Sequence, residues 1–358
     1  MLKTLHIIGS AELGGAERFF LRLVSALSAD GWETAVVLRH GSALDTQLPA
    51  SLTRFRLGMR TPLSRWHIQK IVRAWQPAIV QTYMGRATTL TRLPASGPAI
   101  HLARLGGYYS LKRYRHAHGW IGNTHGLCNY LIEHGLPADR VFQIYNFIDM
   151  PTESATASAL ALTSALPENA KIMLAVGRLH PVKGLQFLLE AFARLPEQLD
   201  GQPVYLVIVG DGPLRQALQD QAGTLGIARR IHWAGWQNEL LPYYQAADLV
   251  VFPSLEEETL GNVILEAWAY GKPLLTSNSR GARELCTHLE NAWCVPCQDT
   301  GALAAGMQHL LTQPELGTRI AYAGQNKVRQ QFSRQRILQQ YQQLYQRLQG
   351  SDYPAASA

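Results

Sequence analysis

Two stretches in the second half of the chain, KIMLAVGRL (171–179) and VYLVIVGDGPL (204–214), place apolar residue after apolar residue and stop at a glycine. A strand exposed on one face alternates apolar with polar, whereas a strand covered on both faces reads as a continuous apolar run, the signature of a parallel sheet flanked by helices. RIHWAG, LVVFPS and KPLLTS repeat the pattern, with helical stretches between them. In the front half LHII, TAVVL, AIV and IHLAR form a second series, and the helix after LHII carries Phe19, Phe20, Leu23, Val24 and Leu27 at helical spacing. The alternation predicts an α/β fold of two doubly wound Rossmann-like domains facing across a cleft. The pattern breaks near 145–151, and TESATASALALTSALPEN (152–169) reads as a linker. The expected division is 1–155, 168–330 and a closing segment 331–358. Within a long helical stretch from Pro314 to Gln349, the residues Ile337, Tyr341, Leu344 and Leu348 form one apolar face able to pack back toward the first domain. In open parallel sheets ligands bind beyond the carboxyl ends of the strands, so the site is expected there.

The formal net charge of +7 is unevenly spread: residues 1–150 carry 17 Lys and Arg against 8 Asp and Glu, and the remainder 16 against 18. A basic front half suits an anionic partner. The absence of zinc-finger spacing, RNP-type aromatics or a lysine-rich tail disfavours nucleic acid and leaves a membrane surface or a phosphorylated acceptor. The four cysteines are too few and too scattered for a disulfide framework, and the CVPC pair, Cys294 and Cys297, lacks the second pair that a zinc site needs. The start of the chain has no signal-like apolar core, and no run approaches the roughly 18 apolar residues of a membrane span. A cytoplasmic location is expected, peripheral at the inner face of the plasma membrane if the basic half meets lipid.

Four loops that follow strands suit a phosphate. GSAELGGAER sets Gly14 and Gly15 before a helix, where glycine allows close approach and the helix N-terminus offers free N–H groups; a plain glycine-rich turn explains it equally well. It matches neither the Walker A pattern nor GxGxxG, which also disfavours a nicotinamide-dependent oxidoreductase. GRLHPVKGL places Arg178 and Lys183 beside a helix start near Gly184, a pairing suited to a diphosphate. VGDGPLR, with Gly212, either approaches a nucleotide or merely joins strand to helix. In EEETLGNVILEAWAYGKPL (256–274), Glu266 is the only charge from Val263 to Tyr270, and a charged residue is rarely buried without a partner.

At this stretch the chain resembles the retaining nucleotide-sugar glycosyltransferases of family four, which have the two-Rossmann B-type fold and a pair of glutamates eight positions apart. Glu258 and Glu266 have that separation; Glu256 and Glu257 do not and read as loop charges. GGAER, GLPADRVFQIYNFID, GRLHPVKGL, VGDGPLR, AADLVVFPSLEEETLGNVILEAWAYGKPL and SRGARE occur in the family's order over almost the whole chain. The resemblance implies that Arg178 and Lys183 neutralise the donor diphosphate and that Gly14 and Gly15 lie against the donor phosphate or acceptor. It further implies that Glu258 contacts sugar hydroxyls beside Thr259, Leu260, Gly261 and Asn262, that Glu266 bonds the ribose, and that Gly212 and the turn at Gly235 and Trp236 border the nucleotide. Two departures stand out. Many relatives read RLHGYD where this chain has Arg104-Leu105-Gly106-Gly107-Tyr108-Tyr109, so Gly106 replaces a histidine, and Phe147 replaces a usual glycine.

Independently of the resemblance, breaking a sugar to diphosphate bond develops positive charge on the sugar and negative charge on the leaving group, so a carboxylate belongs near the first and cations near the second. No Asp-x-Asp occurs, so no metal-holding pair is evident and no metal or other cofactor is expected. Basic and aromatic residues interleave in RFRLGMRTPLSRWHIQKIVRAW and in GYYSLKRYRHAH. Arg104, Tyr108, Lys112 and Arg113 become candidates for acceptor or membrane contact, against the plainer reading of a solvated surface. The expected function is retaining, metal-independent transfer of a hexose-type sugar from a UDP-linked donor to a lipopolysaccharide, surface-glycan or lipid-linked acceptor. The competing readings are a nucleotide-sugar epimerase or hydrolase of the same fold and a non-catalytic binding module.

Overall fold

The computed structural model describes residues 2–11, 13–61, 63–151 and 166–350. The chain divides into two compact units. One runs through Phe147 and takes in the last helix from Arg334; the other runs from Ile148 to Ser333. Most of the predicted linker, 152–165, lies outside the described residues.

The first unit contains β1 (Lys3–Ile8), α1 (Gly15–Ala29), β2 (Glu33–Arg39), β3 (Thr53–Leu57), α2 (Leu63–Trp75), β4 (Ile79–Tyr83), α3 (Met84–Leu90), β5 (Ile100–Leu105), β6 (Gly119–Gly122), α4 (His125–Glu133) and β7 (Val141–Gln143). The sheet order is β3-β2-β1-β4-β5-β6-β7, and every pairing is parallel. Successive β1 residues serve opposite faces: Leu5 and Ile7 pack with Ile68 of α2, whereas Ile8 packs with Phe19, Phe20, Leu23, Val24 and Leu27 of α1. Burial on both faces is why β2 carries the unbroken apolar run AVVL, whereas β1 and β4 bury the polar side chains of His6, Gln81 and Thr82 among their apolar residues.

The second unit contains β8 (Lys171–Val176), α5 (Leu185–Ala193), β9 (Gln198–Leu199), β10 (Gln202–Val209), α6 (Arg215–Thr224), β11 (Ile231–Gly235), α7 (Leu241–Ala246), β12 (Leu249–Phe252), α8 (Asn262–Ala269), β13 (Leu274–Ser277), α9 (Arg280–Leu285), β14 (Trp293–Val295), α10 (Thr300–Thr312) and α11 (Pro314–Lys327). Its order is β11-β10-β8-β12-β13-β14, all parallel, with β9 antiparallel to β10. In both sheets the order reverses beside the first strand, between β1 and β4 and between β8 and β12. Crevices open at the carboxyl edge at such reversals.

The long helical stretch expected from Pro314 to Gln349 is two helices. α11 ends at Lys327, a π turn over Val328–Phe332 buries Val328 and Phe332, and α12 (Arg334–Gly350) begins after Ser333. A continuous apolar stripe in sequence does not reveal this break, because Val328 and Phe332 keep helical spacing while filling the second unit's side. α12 buries Ile337, Tyr341, Leu344, Tyr345 and Leu348 in the same core as α1. β3, β6, β7, β14 and the two-residue β9 have no counterpart in the sequence reading. β3, TRFRL, is an edge strand with no fully buried residue, and the other four span only two to four residues, too short to show a period. Among the described residues no helix is long and apolar enough to cross a membrane.

Candidate functional site

At the carboxyl edge of the second sheet, the loops after β8, β10 and β12 are locked together. The Gly177 and Leu179 N–H groups donate to Val209 O and Asp211 O, at 2.9 Å each, and the Leu255 N–H donates to Val182 O at 2.8 Å. Two glycines permit this approach. Gly184, left-handed at φ +62°, starts α5 and has no room for a Cβ against Pro253 O. Gly261, at φ +79°, caps α8, and a Cβ there would lie 2.5 Å from the Phe252 ring. Both helices therefore present their first N–H groups beside the same loops.

Lys183 ends a short 3₁₀ turn, Pro181–Lys183, and its Nζ donates to Glu258 Oε2 at 2.6 Å. The Ser254 hydroxyl donates to the same oxygen at 3.3 Å, and the ammonium lies 5.3 Å from the Phe252 ring centroid. The side chains are 21% and 15% exposed, so the pair is neither deeply buried nor freely solvated. Arg178 is exposed one residue beyond Gly177, and among the described residues it has no hydrogen-bond or ion-pair partner. Of the three residues expected to do chemistry, the structure pairs Lys183 with Glu258 and leaves Arg178 exposed on the same loop as Lys183. An anion entering here meets one uncommitted guanidinium and one ammonium that can be exchanged from a carboxylate.

Glu266 already has a protein partner. It is buried on α8, and its Oε2 accepts from the Tyr244 hydroxyl at 2.8 Å, so a tyrosine on α7 serves the lone acid. Tyr244 is fully buried and stacks on Tyr270 with centroids 4.5 Å apart. No spacing in the sequence announces Tyr244, since α7 is six residues long and shows no readable period. Glu256 is no idle loop charge either. It pairs with Arg283 at 2.5 Å and Arg280 at 3.4 Å, and hydrogen bonding to Arg283 lowers its pKa. The Gly281 N–H donates to Glu258 O at 3.0 Å, so the SRGARE segment at the start of α9 braces the turn that carries Glu258.

Thr259 and Leu260 are buried in that turn, and Asn262 opens α8 half-buried. Gly212 has the Leu179 backbone 2.5 Å from where its Cβ would stand, which accounts for the glycine by loop packing alone. Trp236 is 42% exposed after the left-handed Gly235. Of the CVPC cysteines, Cys297 Sγ donates to Ser254 O at 3.7 Å, while the Cys294 thiol contacts Cys286, whose own pKa is raised by burial.

In the first unit, Gly14 caps α1 and Gly15 begins it. Glu17 in the first turn is buried, its Oε2 2.8 Å from the Cβ position of Gly14, so a carboxylate sits at the helix start proposed for a phosphate. Arg104 is not a surface cation. It is 5% exposed, donates from Nη2 to Asn146 Oδ1 at 2.6 Å, and lies 4.1 Å over the Phe19 ring. Tyr108 is half-buried and packs edge-on to Tyr130, whereas Lys112 and Arg113 are exposed on a 3₁₀ turn. A groove of about 1160 Å³ lined by Lys3, Trp32, Arg73 and Arg92 opens at the amino edge of this sheet, the edge opposite the one where a parallel sheet takes its substrate.

Comparison with known proteins bears on this geometry. Residues 162–327 match the family Glycosyl transferases group 1, and residues 13–150 match Glycosyltransferase Family 4. The chain is 30% identical to the lipopolysaccharide core biosynthesis glycosyltransferase LpsD of Rhizobium meliloti, over 97% of this chain and 98% of that one. It is 32% identical to LpsE of the same organism, over 92% and 95%. The crystal structure of Anabaena HepE in complex with UDP and glucose superposes with a TM-score of 0.82 at 23% identity, covering 97% of this chain and all of that one. That likeness places the fold among the B-type glycosyltransferases. Full-length identity to two glycosyltransferases, with both halves matched to family patterns, shows that the chain belongs to the group 1, family 4-like glycosyltransferases.

Proposed function

We propose that this glycosyltransferase moves a hexose-type sugar from a UDP-linked donor to a hydroxyl of a lipopolysaccharide, surface-glycan or lipid-linked acceptor, with retention and without a metal ion. The observation that carries the reading is the Lys183–Glu258 pair beside the uncommitted Arg178, at the carboxyl edge between β8 and β12. A diphosphate offers Lys183 a stronger partner than a single carboxylate. Once the ammonium turns to it, Glu258 is released toward sugar hydroxyls, still oriented by Ser254. As the bond to the leaving diphosphate lengthens, Arg178 and Lys183 stabilise the growing negative charge, and Glu258 lies on the side where the sugar becomes positive. These cations and the N-termini of α5 and α8 supply the stabilisation a metal would otherwise give. The leaving diphosphate takes the acceptor proton on the same face, which keeps the anomeric configuration.

Support for a UDP donor and a lipopolysaccharide-type acceptor comes from the relatives: HepE crystallised with UDP and glucose, and LpsD and LpsE are named for lipopolysaccharide core biosynthesis. Peripheral membrane contact is part of the same proposal. α2 has no acidic residue and exposes Leu63 and Trp66 at 67% and 55% among its cations, a surface suited to anionic lipid. The test is thermal shift with UDP-, GDP- and ADP-sugars, followed by incubation of the stabilising donor with rough lipopolysaccharide in EDTA and NMR of the product anomer. Turnover in EDTA to a product of donor configuration is expected; loss of turnover in EDTA, or an inverted product, overturns the mechanism.

A further inference from the structure

The groove of about 1160 Å³ at the amino edge of the first sheet takes no part in the chemistry proposed above. α2 covers one face of this sheet and α12 the other, and the groove runs between them over the starts of β1, β4 and β5. Open parallel sheets take their substrates at the carboxyl edge, and the six residues of β1 separate the two edges by about 20 Å. A ligand held here is therefore not the one that reacts.

The lining has three cations, Lys3, Arg73 and Arg92, against one acid, Asp30, and Arg334 already engages that acid at 3.2 Å. Lys3 is committed in part, pairing with Glu33 at 2.9 Å and lying 4.8 Å over the Trp75 ring. Arg73 and Arg92 are exposed, and among the described residues neither guanidinium has a hydrogen-bond or ion-pair partner. Partial burial and the like charge of Arg65 lower the Arg92 pKa, so a negative group entering here relieves a repulsion. Apart from Trp32, the remaining polar side chains of the lining are five glutamines: Gln69 and Gln76 on α2, and Gln342, Gln346 and Gln349 along one face of α12.

A primary amide both donates and accepts, as a hydroxyl does, so amide-lined walls match a polyhydroxylated ligand. They do not match an acyl chain, which would bury the amides without partners. Leu63 and Trp66, the apolar residues exposed on α2, lie outside the lining. The walls are held before anything binds: the Gln69 amide donates to Arg92 O at 3.3 Å, and the Trp32 ring packs edge-on to Tyr345 of α12, centroids 5.9 Å apart. The volume exceeds the roughly 300–1,000 Å³ of a pocket for one small molecule, which leaves space for several sugar rings.

We propose that this groove is a second glycan site, holding a stretch of acidic oligosaccharide whose carboxylate or phosphate groups meet Arg73 and Arg92 and whose hydroxyls meet the glutamines. Such a site keeps the enzyme on an anionic glycan while the sugar is transferred elsewhere, whichever donor is used.

The test is calorimetric titration of the full chain with five probes: tetragalacturonate, phosphorylated core oligosaccharide from deacylated lipopolysaccharide, neutral maltotetraose, inorganic phosphate and phosphatidylglycerol vesicles. Wild type is expected to bind an acidic oligosaccharide more tightly than maltotetraose or phosphate. Binding of tetragalacturonate assigns carboxylate recognition, and binding of the core oligosaccharide alone assigns phosphate. Arg73→Glu combined with Arg92→Glu reverses two exposed charges and is expected to weaken that binding at least about tenfold, while Gln342→Ala combined with Gln346→Ala weakens it about threefold. Both variants are expected to keep UDP affinity and thermal stability. No binding of either acidic oligosaccharide, binding of phosphate alone, equal binding of maltotetraose, or full affinity in the charge-reversed variant overturns the proposal. So does vesicle binding without oligosaccharide binding, which makes the groove a lipid surface. A chain that binds acidic oligosaccharide through Arg73 and Arg92 but does not bind UDP breaks the proposed donor and leaves this site standing.

Discussion

At the carboxyl edge of the second unit's sheet, the acids of the key turn have cations within reach: Glu258 has Lys183 at 2.6 Å, and Glu256 has Arg283 at 2.5 Å. At the same edge of the first unit, buried Arg104 has an amide, a carbonyl and a phenylalanine ring, and Asn123 keeps an empty acceptor. The second edge is half-exposed and its ions are exchangeable, so a charged ligand trades places with a partner already present. At the first edge Arg104 and Asn123 are each only 5% exposed, so these polar groups are held by packing. One fold repeated twice thus carries two kinds of polar edge, one of partly exposed ion pairs and the other of buried groups held by packing.

Acid should separate the two units most strongly. Burial holds His6, His101, His116 and His118 in the neutral form, with His6 lowered to about 3, and all four lie in the first unit. His101 lies 5.7 Å from His116 and 6.3 Å from His118, ring centroid to centroid, so protonating one opposes protonating the next. A histidine whose folded pKa is lowered contributes its full stability above the unfolded value near 6.5 and loses it as pH falls through the window down to the folded pKa. For His6 alone this amounts to about 2 kcal/mol between pH 7 and pH 5. Hydrogen exchange followed from pH 7 to 5 should show β4 and β5 losing protection before β12 and β13. Equal loss in both sheets would remove this difference between the units.

Next in size is Lys183→Ala. The exchangeable pair predicts that removing the ammonium lowers kcat about 10²- to 10³-fold, because a preorganised partner for the leaving group is lost, and weakens UDP binding at the same time. Glu258→Gln should lower kcat while retaining UDP affinity, since the amide keeps the shape and frees Lys183 for the diphosphate. Steady-state kinetics with calorimetric UDP titration distinguish the two. If both variants lose UDP equally, the pair acts as a structural clasp and not as an exchange device.

Much of this contrast was legible in the sequence, for a physical reason. Apolar runs record burial on both faces, so β1, β8, β10 and β12 are readable, and short-range motifs such as GRLHPVKGL place their residues within one loop. Edge strand β3 and three- or four-residue strands such as β7 and β14 record too little burial to show. Pairings made by the fold are invisible in the same way. Tyr244 reaches Glu266 across 22 positions, Lys183 reaches Glu258 across 75, and Arg104 reaches Asn146 across 42. The family resemblance therefore singled out Glu258, and its isolation in an apolar run singled out Glu266, while their partners waited on the topology. Arg104 shows the same limit: its charge suggested an accessible contact, and only the strand, buried from His101 to Leu105, shows that its side chain lies inside.

The smallest expected effect tests what holds the Glu258 turn in place. Glu256 accepts from Arg283 and Arg280 in the open, where ion pairs contribute only about 0 to 1 kcal/mol. The same turn is also held by main-chain bonds, from the Gly281 N–H to Glu258 O at 3.0 Å and from the Leu255 N–H to Val182 O at 2.8 Å, and by the close approach of Gly281 to the Leu260 backbone. Backbone bonds fix the loop whichever way the arginines turn. Arg283→Ala should therefore shift the thermal midpoint slightly and leave UDP affinity within about threefold of wild type, with a milder salt dependence of stability. A Cβ at 281 would instead meet the Leu260 backbone at 2.5 Å, so Gly281→Ala should displace the turn and reduce activity far more than its size suggests. An Arg283→Ala variant as damaged as Gly281→Ala would mean that charge, not backbone, sets the position of Glu258.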